Sequence, residues 1–377
     1  MKPRRILLLT PSLEQGGAEV VIRDLAMALC KTRHSVAVVS MLEPADGFAR
    51  ALEAAGIAVV PLGMRRGRPN LRGLIRLFVE VRRFRPDIIH GHMFFGSILA
   101  RVLRVLLRVP AVCTIHSEIE CSHRRRSARS REWIYRITNR ACDRLTAVSE
   151  RVRERYVQRR IVRADQVEVI ENGVDLQRFR PNPGPRDRIR KALGWETCFI
   201  WLAVGRLELA KDFPTLIRAF RQLRAAQPHC RLAIAGDGRL RPQLERLIQD
   251  QGLQSEVKLL GNRDDIPELL NACDALVMSS EWEGGPLVLL EAGACEKPVV
   301  ATEVGAAPRI VAPGRTGVLV PVRDVGRLTQ AMRELMTTPP EIRAEMGREA
   351  RRRMLEHFSL EITNGRYLDL YERVLAR

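Results

Sequence analysis

Short apolar runs alternate along this chain with longer stretches whose apolar positions recur every three or four residues. Runs of the first kind predict buried strands, and stretches of the second kind predict helices. In the first half the strand signals are residues 6–10, 36–40, 59–60, 88–90, 111–115, 143–149 and 167–170. A glycine loop, Gly16-Gly17, follows the first of them, with a helix expected over roughly 18–30. The same alternation restarts at 199–204 and continues at 231–235, 257–260, 275–278, 298–301 and 317–320, with a helix near 214–225 and a helical tail from about 341. Strands alternating with helices predict parallel, doubly wound sheets, whose ligands bind at the carboxyl ends of the strands. Between the two series lies Arg180-Pro181-Asn182-Pro183-Gly184-Pro185, which reads as an interdomain linker. Two doubly wound α/β domains are expected, 1–180 and 181–359.

Two helices of the first half have an unusual composition. Leu71, Leu74, Ile75, Phe78, Val81 and Phe84 recur at helical spacing, with Arg72, Arg76, Arg82 and Arg83 elsewhere around the wheel and Arg65, Arg66 and Arg68 ahead of it. Between Ile98 and Arg108, the residues Arg101, Arg104 and Arg108 form one stripe on an otherwise apolar helix. The segment from His123 to Arg131 is also basic and reads as a loop. The formal net charge is +19, and residues 1–180 hold most of it, with 34 Lys and Arg against 18 Asp and Glu. Two readings stay open. These are core helices with solvated arginine faces, or helices that dock on anionic lipid headgroups at ~1 kcal/mol per basic residue. Nucleic acid is not expected as a partner, because aromatics are 5% of the chain and are not interleaved with the arginines.

Composition narrows the remaining classes. A length of 377 residues suits two domains, and 46% hydrophobic with 28% charged residues suits a globular protein with ample core. Eight scattered cysteines without a Cys-x-x-Cys read as free thiols in a reducing cytoplasm. The pair His90-Gly91-His92 has no carboxylate or thiol nearby in sequence, so no metal site is expected there. Arginine breaks every apolar run before it could span a membrane, and the N-terminal run is too short for a signal peptide.

Candidate chemistry concentrates between Ser279 and Ala292, where an apolar strand gives way to Glu283-Gly284-Gly285-Pro286-Leu287 and then to a helix carrying Glu291. Pro286 suits the first helical position, the glycines permit close backbone approach, and the first amides of the helix attract anions. The carboxylates of Glu283 and Glu291 are eight residues apart, at most ~12 Å at helical rise. That spacing suits an elongated ligand, anionic in the middle and rich in hydroxyls at its ends. Arg206 and Lys211 flank another strand-to-helix loop, where cations pair with phosphates.

Taken together, Gly16-Gly17-Ala18-Glu19, Thr114-Ile115-His116, Ala147-Val148-Ser149-Glu150, Asn172-Gly173-Val174-Asp175, Val204-Gly205-Arg206-Leu207 with Lys211, Gly236-Asp237-Gly238 and the Glu283/Glu291 pair resemble glycosyltransferase family 4. The resemblance runs along nearly the whole chain. It implies the GT-B fold, two Rossmann-like domains facing across a cleft, with a last helix at about 360–377 crossing back to the first. It implies a UDP- or GDP-sugar donor, used as substrate, with no cofactor and no metal. Arg206 and Lys211 would neutralise the diphosphate, and Glu291 would bond the ribose. Glu283 would bond the donor sugar, with Gly284, Gly285, Pro286 and Leu287 beside the phosphate and sugar. His116, Gly16 and Gly17 would close the site from the first domain.

Catalytic roles would thus fall to His116, Glu283, Arg206 and Lys211. The implied activity is retaining hexosyl transfer, metal-independent, in keeping with the absence of any Asp-x-Asp. The basic first half points to a lipid-linked or cell-envelope saccharide acceptor, as in lipopolysaccharide biosynthesis, and to a cytoplasmic enzyme peripheral at the inner face of the membrane. Three positions depart from the family pattern: Gly285 where a large apolar residue is common, Glu296 where glycine usually precedes Lys-Pro-Val-Val, and Arg309 where glutamate is usual. Two alternatives remain, a GT-B nucleotide-sugar epimerase and a non-catalytic protein that binds polyanions or membranes.

Overall fold

The computed structural model describes residues 2–14, 16–65, 69–118 and 125–376, with backbone alone at Asp46 and residues 125–128. Arg66, Arg68, His123 and Arg124 of the basic segments lie outside the described residues. The chain divides into two compact units, 1–172 with 361–377, and 173–360.

The first unit runs β1 (Arg5–Thr10), α1 (Gly17–Lys31), β2 (Ser35–Ser40), α2 (Asp46–Ala54), β3 (Ala58–Pro61), α3 (Leu71–Phe84), β4 (Ile88–His92), α4 (Met93–Leu107), β5 (Ala111–Ile115), α5 (Arg125–Thr138), β6 (Arg144–Ala147), α6 (Glu150–Gln158) and β7 (Val167–Val169). The second runs α7 (Arg186–Leu193), β8 (Phe199–Val204), α8 (Phe213–Ala226), β9 (Cys230–Ala235), α9 (Arg241–Asp250), β10 (Val257–Gly261), α10 (Ile266–Ala272), β11 (Ala275–Met278), α11 (Leu287–Ala294), β12 (Val299–Thr302), α12 (Ala307–Ile310), β13 (Gly317–Val320), α13 (Val325–Thr337) and α14 (Pro340–His357). A last helix, α15 (Leu360–Leu375), returns the chain to the first unit.

Each unit is built on one parallel sheet among the described residues, ordered β3-β2-β1-β4-β5-β6-β7 in the first and β10-β9-β8-β11-β12-β13 in the second. Strand order reverses between β1 and β4 and between β8 and β11, the switch points at which open α/β sheets leave a crevice. In the first unit, α1, α2 and α15 cover one face of the sheet, with Leu25, Leu29, Tyr367 and Leu370 in their core. The helices α3 to α6 cover the other face, around Leu77, Phe94, Leu103, Tyr135 and Tyr156.

Four expectations change. From Arg125 to Arg131 the basic stretch is helical and not a loop, because α5 begins at Arg125. Arg180 to Pro185 does not act as a free linker: the Asn182 amide donates to Asn271 Oδ1 at 2.8 Å, and Asn271 Nδ2 donates to the Arg180 carbonyl at 3.0 Å, inside the second unit. The arginine stripe of α4 is dismantled. Arg101 is buried, donates to the Tyr135 carbonyl at 3.1 Å and to Thr138 Oγ1 at 2.9 Å, and stacks on the Tyr135 ring. Arg104 pairs with Asp143 at 2.7 Å. Finally, α3 buries Gly73, Leu77 and Val81, while Leu71, Leu74 and Ile75 of the expected core face are exposed. Gly73 decides this, since a side chain there would run into Met64 and the Leu62 carbonyl.

The junction of α11 with β12 explains one departure from the family pattern. The Lys297 amide donates to the Ala292 carbonyl at 2.9 Å and the Glu296 amide to that of Gly293 at 3.1 Å, the two bonds of a Schellman C-cap. This motif needs a left-handed residue after the cap, and Glu296 supplies it with φ 57°. Glycine takes that conformation without the clash of a β-carbon, which costs roughly 1 kcal/mol. Glu296→Gly is therefore expected to stabilise the protein by about 1 kcal/mol, seen as a higher urea midpoint at unchanged slope; an unchanged or lower midpoint would contradict this account.

Candidate active site

The loops after β8 and β11 are joined because their strands are neighbours in the sheet. The Glu281 amide donates to the Ala210 carbonyl at 2.7 Å, and Ser279 Oγ donates to the Lys211 carbonyl at 2.8 Å. This zipper brings Lys211 Nζ to 2.5 Å from Glu283 Oε1, with Ser280 Oγ donating to the same oxygen at 2.8 Å. Both members of the pair are largely buried, with side chains 20% and 15% exposed, so removing either would leave the other charge without its partner.

Around this pair the backbone is crowded in ways that only glycine tolerates. The Lys211 stem lies over Gly205, where a β-carbon would come within 2.8 Å of Lys211 Cε. A side chain at Gly236 would overlap the Gly205 carbonyl, and the Leu207 amide donates to the Asp237 carbonyl at 2.9 Å, so the loops after β8 and β9 are in direct contact. Gly305 has φ 52° and faces the Gly284 carbonyl, which accepts from the Ala306 amide at 2.9 Å. Gly284 is thereby pinned.

Gly285 and Pro286 then lead into α11. Pro286 is its N-cap, so the first helical residue is Leu287, one position later than expected. Glu291 follows on the second turn, half-buried. Arg206 is exposed directly after β8 and has no ion-pair partner among the described residues. The second unit therefore gathers Arg206, Lys211, Glu283, Gly284 and Leu287 at two adjacent strand ends, with Glu291 one turn along α11. Of the three departures, Arg309 is used in packing: its guanidinium lies 5.9 Å from the centre of the Phe358 ring.

The first unit carries its own cluster at the ends of β1, β4 and β5. Gly16 is the N-cap of α1 and Gly17 its first residue. The buried Glu19 carboxylate folds back so closely that a β-carbon on Gly16 would sit 2.4 Å from Glu19 Oε2, and Ser12 Oγ donates to Glu19 Oε1 at 2.9 Å. The anion-attracting start of α1 thus has its own carboxylate beside it, a role the sequence reading did not assign to Glu19.

His90 and His92, for which no carboxylate or thiol partner is expected from the sequence, are held by hydroxyl and imidazole groups instead. His90 Nδ1 lies 2.6 Å from Tyr371 Oη and its Nε2 2.6 Å from Thr114 Oγ1. His92 Nδ1 lies 3.0 Å from His116 Nε2. His92 Nε2 is buried without a partner. An orphaned lone pair is tolerated better than an orphaned N–H, so the shared proton belongs on His92 Nδ1, and His116 carries its own on Nδ1. The turn that delivers His92 is strained: β4 runs straight into α4 through Met93, with φ 56°. The sequence marks the parts of this cluster separately, the His-x-His spacing, His116 and Gly16-Gly17, and does not say that β5 brings His116 alongside His92. Among the described residues, no group of three or more His, Cys, Asp or Glu could hold a metal ion.

Burial keeps these imidazoles neutral. It lowers His90 to about 3 and His116 to about 4, and holds His92 well below its ordinary value of 6.5. The unfolded chain binds protons below about pH 6.5 that the folded chain refuses. The stability these groups contribute is therefore complete above that pH and is lost as pH falls toward 4 and then 3. Each contributes up to about 1.4 kcal/mol per pH unit over that window. Urea unfolding between pH 7.5 and 4.5 is expected to show stability falling with acid, and a His116→Asn variant to show a shallower fall; equal slopes would mean that His116 is not held neutral.

Comparison with known proteins follows the same two-unit division. A family model described as Glycosyltransferase Family 4 matches residues 15–178, and one described as Glycosyl transferases group 1 matches residues 185–353. The D-inositol 3-phosphate glycosyltransferase of Pseudarthrobacter chlorophenolicus is 31% identical over 382 residues, covering 92% of this chain and 90% of that protein. The UDP-Gal:alpha-D-GlcNAc-diphosphoundecaprenol alpha-1,3-galactosyltransferase of Escherichia coli is 28% identical over 308 residues, covering 80% and 79%. Among solved structures, Anabaena HepE in complex with UDP-glucose aligns with a TM-score of 0.86 at 23% identity, over 98% of this chain and 100% of that one.

Proposed function

The chain belongs to glycosyltransferase family 4 and has the GT-B fold, and on that premise we propose that it is a retaining, metal-independent hexosyltransferase that uses a UDP- or GDP-sugar. The observation that carries this reading is the Lys211–Glu283 pair at the joined ends of β8 and β11. A diphosphate offers Lys211 a stronger anionic partner, and a sugar offers Glu283 hydroxyl donors. A nucleotide sugar can therefore replace each member's partner at once, which neither a phosphate nor a free sugar can do. Arg206, exposed beside them, adds a second phosphate cation, and the amides at the start of α11 add neutral donors. Glu291 bonds the ribose hydroxyls.

The chemistry follows from where charge develops. The bond from the anomeric carbon to the β-phosphate oxygen breaks, its electron pair stays on the departing diphosphate, and positive charge spreads over the sugar ring. Lys211, Arg206 and the α11 amides are preorganised for the growing negative charge and lower the barrier. The acceptor oxygen bonds to the anomeric carbon on the face the phosphate leaves, so configuration is retained. Its proton passes to the leaving phosphate oxygen, and no separate base is required. Glu283 holds the sugar hydroxyls through this step. In the first unit, His116, with its proton on Nδ1, offers a neutral imidazole at the end of β5, and Gly16 and Gly17 open α1 after β1.

The acceptor is a lipid-linked or cell-envelope saccharide, as in lipopolysaccharide assembly. The name of the Escherichia coli relative, whose acceptor is a diphosphoundecaprenol saccharide, supports this class, and so does the basic first half. The enzyme then works in the cytoplasm, at the inner face of the membrane.

Lys211→Ala and Glu291→Ala are each expected to lower kcat/KM by about 10²–10³ with a nucleotide-sugar donor, and transfer is expected to persist in excess EDTA. Full turnover by either variant would overturn the site, and abolition by EDTA would overturn metal independence. Epimerisation of the donor without any acceptor would favour an epimerase instead. Absence of UDP and GDP binding by calorimetry would favour a non-catalytic protein.

A further inference from the structure

Exposed large hydrophobic side chains are not spread evenly over the described residues. Of thirteen, nine lie on α3, α4 and α5, and the other four are scattered over the second unit. The three helices sit in the same layer on one face of the first unit's sheet, so their outer surfaces form one side of that unit. Leu71, Ile75 and Val79 follow one another at four-residue spacing along α3, at 73%, 56% and 54% exposure. Val105 and Leu106 on α4 are each 64% exposed, and Trp133 on α5 is 58% exposed. At about 100° per residue, the strip on α3 lies opposite the buried Gly73, Leu77 and Val81, and Arg72, Arg76 and Arg83 run along one edge of it.

We propose that this outer face of α3, α4 and α5 inserts its apolar side chains into the surface of a bilayer containing anionic phospholipid. The occupant is chosen by charge. The strip is fringed by exposed arginines, and residues 1–180 have 34 Lys and Arg against 18 Asp and Glu. A second copy meeting the same face about a two-fold axis would oppose arginine to arginine. A helix with an apolar strip, a basic edge and an accompanying tryptophan matches the headgroup–acyl boundary of a lipid leaflet. The arginine stripe once expected on α4 has no part in this surface, since Arg101 and Arg104 are engaged inside the unit. The proposal rests on the reading of a membrane-borne acceptor, and its test separates the two.

The full chain would be floated with vesicles of phosphatidylcholine and phosphatidylglycerol, and with phosphatidylcholine alone, at low and at high salt. Binding to the anionic vesicles is expected, with a fraction retained at high salt because apolar insertion is not screened. Ile75→Glu with Leu106→Glu is expected to reduce the bound fraction at least tenfold while leaving transfer to a water-soluble saccharide acceptor unchanged. Trp133→Phe is expected to bind and to lose the blue shift of tryptophan emission that the parent chain shows on vesicles. No flotation at low salt, equal flotation of the Ile75→Glu, Leu106→Glu variant, or a dimer in sedimentation that this variant abolishes would each overturn the proposal. Vesicle binding by a chain that transfers no sugar to any acceptor would leave it standing and remove the proposed activity instead.

Discussion

The backbone hydrogen bond from Glu281 to Ala210 is the constraint on which the candidate site depends. It exists because β8 and β11 are adjacent at the point where strand order reverses, so the two loops that leave the sheet there have no helix between them. Once they are joined, Lys211 and Glu283, seventy-two positions apart in the chain, share a hydrogen bond. The surrounding glycines are consequences of this crowding. Gly205, Gly236 and Gly305 each face a backbone or side chain that a β-carbon would strike. A site assembled this way holds the Lys211 ammonium and the Glu283 carboxylate in fixed places.

The first unit is organised by a different device. Its polar core joins the last helix to the middle of the sheet through Tyr371, His90 and Thr114, which in turn meets Thr146 at 2.6 Å. Thr363 adds a bond to the Glu171 carbonyl at 3.0 Å. The C-terminal segment is thus required to satisfy buried groups of a sheet laid down by the N-terminal half of the chain. Burial makes this network neutral, and the same burial gives His116 a fixed partner in His92 in place of a solvent-dependent one.

The arginines show how one residue type divides into separate roles. Arg101 and Arg104 belong to the interior and to an ion pair, Arg309 to packing against Phe358, Arg206 to the open edge of the site, and Arg72, Arg76 and Arg83 to an apolar strip at the surface. Net charge describes their sum and says nothing about this division.

Beside the family resemblance carried by its motifs, the sequence by itself determined the alternation of strands and helices, the two sheets, and the loops that carry Arg206, Lys211 and Glu283 ahead of the helix with Glu291. These follow from local rules: short β-branched runs, helical periodicity, and glycine or proline where the backbone turns. It could not say that Lys211 pairs with Glu283, that His92 meets His116, or that Glu19 lies beside the start of α1 at Gly16. Each of those contacts depends on sheet order or on the angle at which a loop leaves its strand. Periodicity likewise did not separate the buried side of α3 from the exposed one, because apolar residues lie on both, Leu77 and Val81 on one and Leu71, Ile75 and Val79 on the other. Only the tight approach of Gly73 to Met64 and Leu62 decided which side is buried, and so left Leu71, Leu74 and Ile75 at the surface.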